Sequence, residues 1–493
     1  MNPQIQNQEF MLKESIKHFL TSYHIDNSDY SSFESIFFRL IQTMLDPPLE
    51  VTWFYSAITF HAAKSSSQNS PSTRVLIAKD LLNLLISCSN LSSASKKIGL
   101  LAPVIYELYN IVCDSRKRGL SVKMEVDKLV EDMFSYVMMS AAVYDYGNGD
   151  VKSDNAVACF EDLVRVWTTD RGGGSCNFAD NSRVFFPLLS DGTWKGVNVR
   201  CGVRELVVIV LCELFFLKLY LSFGSEMCTE DFLKDKQDQA VQTIKGFRNS
   251  YFIDMLLKML LEPCLPVASL LSSEDAVILH KVLYDAVILV DYSFYSGRWA
   301  QSSDCHSKKL ALLWVLVADR AIQFARAKND QARANSYLNA FRESQLMDEL
   351  IKWATIQAGV TEQNARPDIT TPKALINWLF VLEDHEIQVF DHNISLAYAK
   401  AVSKVASESP LNHNILGWKK NDPNKDQEMD DMSNNGSPGA LCLMNPENDV
   451  GRKRKEFSSD VQESRVKQVR LESSVRSVGN EVINISSDDD MES

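Results

Sequence analysis

The ten cysteines, at positions 88, 113, 159, 176, 201, 212, 228, 264, 305 and 442, never stand two to four residues apart. That excludes the paired-ligand spacing of a structural zinc site. Several lie inside apolar runs, and Cys88, Cys113, Cys212 and Cys264 read as small buried hydrophobes in a reducing compartment rather than as a disulfide framework. Positive charge is in deficit: 51 Lys and Arg face 64 Asp and Glu, a formal balance of −13. A broad electrostatic attraction to duplex DNA or to an anionic membrane is therefore not expected, and direct nucleic-acid contact is left to local basic stripes. Glycine is sparse, and the run Gly172-Gly173-Gly174 neither opens a Lys-Ser/Thr phosphate loop nor matches dinucleotide spacing, so it reads as a tether. No Gly-x-Ser-x-Gly elbow occurs, and no Cys/His or Asp/Glu pair stands out from the amphipathic background. His385-Glu386 lacks the second histidine of a zinc-protease helix, since position 389 is Val389, and His392 alone cannot complete a ligand set. The residues thus point to no catalytic group, no metal and no cofactor. Met1 to Gln8 has no basic region leading into an apolar stretch, so no secretory signal is expected.

What is present, from about residue 8 to about residue 405, is a succession of apolar stripes at helical spacing with short polar breaks. Phe10, Ile16, Phe19, Leu20 and Tyr23 form one stripe. Ile36, Phe37, Leu40, Ile41 and Met44 form the next, opened by Ser31 and Glu34 as a capping box and closed by Pro47-Pro48. Helices are expected over 49–63, 74–88, 95–113 with Pro103 as a start or kink, 123–144, 156–167, 203–223, 231–247, 252–261, 274–295, 308–327, 331–343, 347–357, 372–382 and 391–406. Trp53, Phe54, Tyr55, Trp194, Trp314, Trp353 and Trp378 sit mostly in these stripes and read as core. The run from Leu206 to Phe223 is apolar enough to suggest a membrane span. Glu213 and Lys218 near its middle would each cost about 2.5–3.5 kcal/mol at a bilayer centre. It therefore reads as a helix buried in protein, with both charges at an edge or end of the buried face and the lysine stem snorkelling to water.

The fold class implied is all-α, an irregular helical-repeat, solenoid-like body over residues 1–406 with no visible exact-period repeat. Within it, residues 147–202 hold eight of the nineteen glycines and mark a boundary or a long excursion. There, Arg183 to Leu189 with Ser190 to Trp194 reads as a small hairpin or as an apolar loop plugging into neighbouring helices. Residues 407–493 differ in kind: only Trp418 and Phe457 are aromatic, with 11 basic and 17 acidic residues in segregated blocks. Such a segment buries too little apolar surface to offset its ordering entropy, so a disordered tail is expected.

Two motifs lie in that tail. Arg452-Lys453-Arg454-Lys455 resembles a monopartite nuclear import signal, four adjacent cations suited to a groove lined with acids and aromatic faces. Val482-Ile483-Asn484-Ile485, followed by Ser486-Ser487-Asp488-Asp489-Asp490, resembles a SUMO-interacting motif. In an extended chain Ile483 and Ile485 point to one side, with Val482 at the groove entrance, while the backbone adds a strand to an exposed sheet edge. Asp488, Asp489 and Asp490 would meet flanking lysines and supply orientation and on-rate. Burying the three aliphatic side chains yields about 5–8 kcal/mol gross, and ordering the tail returns about 2–5 of that, so weak, reversible binding is expected. Ser486 and Ser487 each have an aspartate three positions on and are phosphorylation candidates whose phosphate would strengthen the lysine contact.

With this tail, an acidic all-helical body of this size with a glycine-rich middle resembles the plant helical subunit of the SMC DNA-repair complex that is the counterpart of non-SMC element five, an associate of the negative regulator of systemic acquired resistance. That resemblance implies a nuclear scaffold in a chromosome-maintenance complex, docked on a helical partner protein, with SUMO binding serving the complex's sumoylation machinery. A transcriptional or chromatin co-regulator recruited by SUMO is the second reading, and an enzyme with a dispersed site is the third. A membrane partner is not expected.

Overall fold

A computed structural model describes residues 3–23, 30–65, 70–118, 122–142, 157–169, 178–190, 202–223, 230–247, 249–290, 304–358 and 369–385, together with 192, 292, 387, 389, 390, 396, 399 and 400. The chain divides into two units, Met1–His413 and Asn414–Ser493. The second unit, and with it the expected disordered tail, lies outside the described residues, as do Gly172-Gly173-Gly174, Trp194 and most of the helix expected over 391–406.

The described body is all-α, with no strand among the described residues. Its first half comprises α1 (Pro3–Ser22), α2 (Ser31–Thr43), α3 (Leu49–Ser65), α4 (Pro71–Cys88), α5 (Ala94–Gly99), α6 (Ala102–Arg118), α7 (Lys123–Ala142), α8 (Phe160–Thr168) and α9 (Phe178–Phe185). The second half comprises α10 (Val203–Ser222), α11 (Glu230–Phe247), α12 (Ser250–Leu261), a 3-10 turn at Pro266–Leu270, α13 (Ser273–Ile288), α14 (Asp304–Ala327), α15 (Gln331–Arg342), α16 (Gln345–Gln357) and α17 (Pro372–Asp384).

Helix starts follow local chemistry. Ser70, Asn249, Ser272, Asp330 and Thr371 each accept a first-turn backbone N–H on the side chain, and Pro71 and Pro372 occupy positions where a missing N–H costs nothing. The expected capping box at Ser31 and Glu34 does not form. Ser31 is already helical, and the residue at the cap is Tyr30, whose side chain makes no capping bond. The reversal between α14 and α15 is a Schellman turn. Asn329 adopts φ 58°, its N–H reaches Arg326 O at 3.0 Å, and the Asp330 N–H reaches Ala325 O at 2.9 Å. The helix expected over 274–295 stops earlier, at Ile288, because the Val287 carbonyl at its end accepts from Tyr292 Oη at 2.9 Å and from Trp314 Nε1 at 3.0 Å.

Two helices organise the packing. α10 touches α5, α6, α7, α11 and α12, while α14 touches α12, α13, α15, α16 and α17. α10 is buried on nearly all faces, from Leu206 through Leu217 and on to Leu221, as expected of a helix apolar all round. A Cβ at Gly99 would stand 3.1 Å from Leu49 and 3.2 Å from Leu206, so a hydrogen at that position lets α5 lie close against α10. Among the described residues one helical stretch, Ala94–Ser115, is long and apolar enough to cross a membrane, and 78% of its apolar window is buried inside the body.

Over the described part of the 183–194 segment, residues 183–190, the chain is the end of a helix and a buried turn, which corrects the hairpin alternative in favour of the plug. The described parts of the excursion between 147 and 202 are α8 and α9, followed by a turn through Phe186 to Ser190, and α8 packs on α1, α3 and α9. Phe185 lies 5.0 Å from Tyr106, 5.6 Å from Trp53 and 4.7 Å from Phe186, ring centre to ring centre. Trp53, Trp167, Phe160, Phe185 and Phe186 are all fully buried. Each such aromatic pair is worth about 0.5–1.5 kcal/mol beyond its burial, and the segment is a short helix, not a strand. Trp53, Phe54, Tyr55 and Trp314 are core, as their stripes predict, whereas Trp353 and Trp378 are half-buried. Cys212 is buried, Cys88 and Cys113 are half-buried, and Cys264 is exposed, which corrects its reading as a core residue. It follows the end of α12, where the chain has left the apolar interior.

Candidate functional site

The residues singled out for binding fall outside the described residues: Arg452, Lys453, Arg454 and Lys455, then Val482, Ile483, Ile485, Ser486, Ser487, Asp488, Asp489 and Asp490. Among the described residues, five buried clusters of ionisable groups stand out, and Glu107 is a further buried carboxylate.

The first anchors the plug. Glu213, in the middle of α10, is 1% exposed and accepts the Leu188 N–H at 2.8 Å, with the Leu189 N–H as a second donor. Burial drives its pKa well above the carboxylate range, and the two N–H groups oppose that only in part. The sequence places Glu213 at an edge or end of the buried face. It sits at the centre because the turn after α9 brings the Leu188 N–H to it, as buried backbone requires, while the Leu189 N–H also reaches the Phe186 carbonyl at 3.4 Å. Lys218 reaches the edge of the buried face, its ammonium 4.3 Å from the centre of the Phe134 ring and 2.9 Å from Glu131. The far end of the plug is tied by Ser190, which donates to Glu262 Oε1 at 2.6 Å. Arg320 of α14 donates to the Leu261 carbonyl and, at 2.6 Å, to the Glu262 carbonyl.

The second cluster joins α13 to α15. Asp285, 2% exposed, accepts from Tyr337 Oη at 2.7 Å and from Arg333 Nη1 at 2.9 Å. Arg333 also meets Asp330 at 3.4 Å, and Lys281 lies 3.7 Å from Asp330. Burial raises the Asp285 pKa and outweighs the Tyr337 hydrogen bond and the Arg333 charge.

In the third, Asp254 of α12 meets Lys258 at 2.8 Å and Lys309 of α14 at 3.3 Å, both through Oδ2. In the fourth, burial pushes Asp319 of α14 up to about 6, opposed by Lys373 and Arg326, while Gln323 donates to it at 2.5 Å. In the fifth, His61 is held down at about 4 by burial and remains neutral at physiological pH, its Nε2 2.7 Å from the Val166 carbonyl and its ring 5.4 Å from that of Phe19.

Four of these clusters bridge chain segments that are distant in sequence, while the printed bond of Asp319 is to Gln323 one turn on in its own helix. Their chemistry is that of interhelical ties. Among the described residues no group of three or more His, Cys, Asp or Glu could hold a metal ion, and His385 caps α17, its Nδ1 2.6 Å from the Val381 carbonyl. The sequence signals none of these ties except through an isolated charge in an apolar helix, as at Glu213, Asp254, Asp285 and Asp319. The partners of those charges are set by tertiary packing. Comparison of the chain with protein-family models, with curated proteins and with solved structures finds no match.

Proposed function

We propose that the protein is a non-enzymatic nuclear adaptor: an all-helical body that docks a helical partner within a chromosome-maintenance and DNA-repair complex, and a C-terminal strand that binds SUMO. The observation that carries this reading is the segment Val482 to Asp490, three branched apolar residues joined to an acidic run. Their chemistry suits addition of a strand to a lysine-flanked sheet edge. The import-like cluster at 452–455 supports a nuclear setting. A supporting role for the body rests on the buried carboxylates at 213, 254 and 285, whose bonds tie one helix or turn to another. Irregular helix stacks of this type present extended surfaces for protein partners.

The proposal separates from a SUMO-recruited co-regulator by where the stable complex forms. Full-length protein and a chain ending at residue 406, each tagged and recovered from nuclei at about 0.15 M salt, are expected to retain the same stoichiometric partners by mass spectrometry. SUMO-modified proteins should be lost from the shorter chain alone. Loss of every partner on removal of residues 407–493 would favour the co-regulator.

A further inference from the structure

Between the 3-10 turn at Pro266–Leu270 and α13 the backbone runs extended, with Leu271 at φ −101°, ψ 166° and Ser272 at φ −65°, ψ 161°. Ser272, Ser273 and Glu274 are exposed, and Asp275 is half-buried. The Ser272 side chain accepts the Asp275 N–H at 3.1 Å and donates its hydroxyl to Asp275 Oδ2 at 2.8 Å. An exposed hydroxyl is thus followed by acids two and three positions on, Glu274 and Asp275, the spacing that Ser486 has to Asp488 and Asp489. Other hydroxyls of the body lack part of this arrangement. Ser269 is exposed, but the residue three positions on is Ser272. Thr43 has Asp46 at the right spacing, yet it ends α2 and its hydroxyl is bound back to the Arg39 carbonyl at 2.8 Å. Exposure, extended approach and acidic flank coincide at Ser272. A groove lined with cations is the complement of such a segment.

We propose that Ser272 is a phosphoacceptor for an acidophilic protein kinase, one that reads Glu274 and Asp275 with cations of its acceptor groove. Ser272 Oγ attacks the γ-phosphorus of Mg-ATP; the new P–O bond forms, the bond from that phosphorus to the bridging oxygen breaks, ADP leaves, and the hydroxyl proton passes to the kinase's base. The phosphate keeps the acceptor role at the start of α13, where the helix macrodipole favours negative charge. It cannot donate to Asp275 Oδ2 as the hydroxyl does, and the two anions repel. These effects oppose one another at an exposed cap, so the modified body keeps its fold and the start of α13 becomes strongly anionic. The inference uses no residue of the tail and stands apart from SUMO binding.

The test incubates the full-length chain with Mg-ATP and casein kinase 2, an acidophilic enzyme, alongside an acidic reference peptide in the same tube. Phosphate occupancy at each serine is followed over time by peptide mass spectrometry, with fragment ions separating Ser272 from Ser273. Ser272 is expected to fill many times faster than Ser269. Glu274→Gln combined with Asp275→Asn leaves an amide oxygen to accept the Ser272 hydroxyl and removes both charges, so it should slow Ser272 several-fold in a chain of unchanged helical circular dichroism. Ser272 filling no faster than Ser269 while the reference peptide is phosphorylated overturns the proposal, as does phosphate on Ser273 alone or a rate unchanged in the doubly substituted chain. The wild-type comparison of Ser272 with Ser269 decides the matter even where that variant does not fold.

Discussion

Glu213→Ala is expected to destabilise the body by about 3–5 kcal/mol, because it strands a buried N–H donor and opens a cavity in the centre of α10. The donor belongs to Leu188, fully buried at the foot of the aromatic plug. Glu213→Gln should behave differently. Its amide oxygen keeps the acceptor, and its amide group falls where Oε2, which has no protein hydrogen-bond partner, lies in the native chain. The two variants also separate by pH. The folded-state pKa of Glu213 lies well above the ordinary value because of burial. Its contribution to stability is therefore complete below the unfolded carboxylate pKa and is lost as pH rises through the folded one. Glutamine has no such loss, so urea midpoints of Glu213→Gln and wild type should diverge in favour of the variant as pH rises. Parallel midpoints from about pH 5 to 9 would contradict a buried carboxyl of raised pKa.

The second large effect is expected at Asp285. Removing this carboxylate leaves Tyr337 Oη and the Arg333 guanidinium, 2.7 and 2.9 Å away, without their shared acceptor. Breaking a buried pair from one side costs about 3–5 kcal/mol. Tyr337→Phe removes one donor and should cost about 1–2 kcal/mol. Because the two side chains touch, the double variant should cost less than the sum, with a coupling of about 1–3 kcal/mol in urea unfolding. Additive losses would show that Tyr337 is held by packing and not by Asp285.

Most helices are legible in the sequence because their apolar stripes are long and their starts carry chemical signals. α16 and α17 lie within two residues of the spans that their periodicity predicts, and Thr371-Pro372 marks the start of α17. Pro103 does open a new helix, splitting the expected 95–113 into α5 and α6. Short elements are harder. α9 has eight residues, too few for periodicity to distinguish it from alternation, and its identity is fixed by Trp53, Tyr106 and Phe186, which lie elsewhere in the chain or after its end. Ser31 and Glu34 have capping-box spacing, yet Tyr30 takes the cap because the helix begins one position earlier than the motif requires. The interhelical ties are illegible for a related reason: Asp285 and Tyr337 are 52 positions apart, and nothing local couples them. The candidate binding residues present the opposite case, since a linear motif carries its chemistry in consecutive letters.

The measurement that tests the adaptor reading most directly is a titration of SUMO into the full-length chain, followed by chemical shifts on labelled SUMO. Perturbations confined to one sheet edge and its flanking lysines are expected, with saturation in the weak range of about 1–100 µM. They should disappear when Ile483→Ala and Ile485→Ala are combined, and weaken when Asp488, Asp489 and Asp490 are replaced by Asn. No shift at large excess of the full-length chain, or an equal response from the doubly substituted chain, would contradict strand addition by residues 482–485.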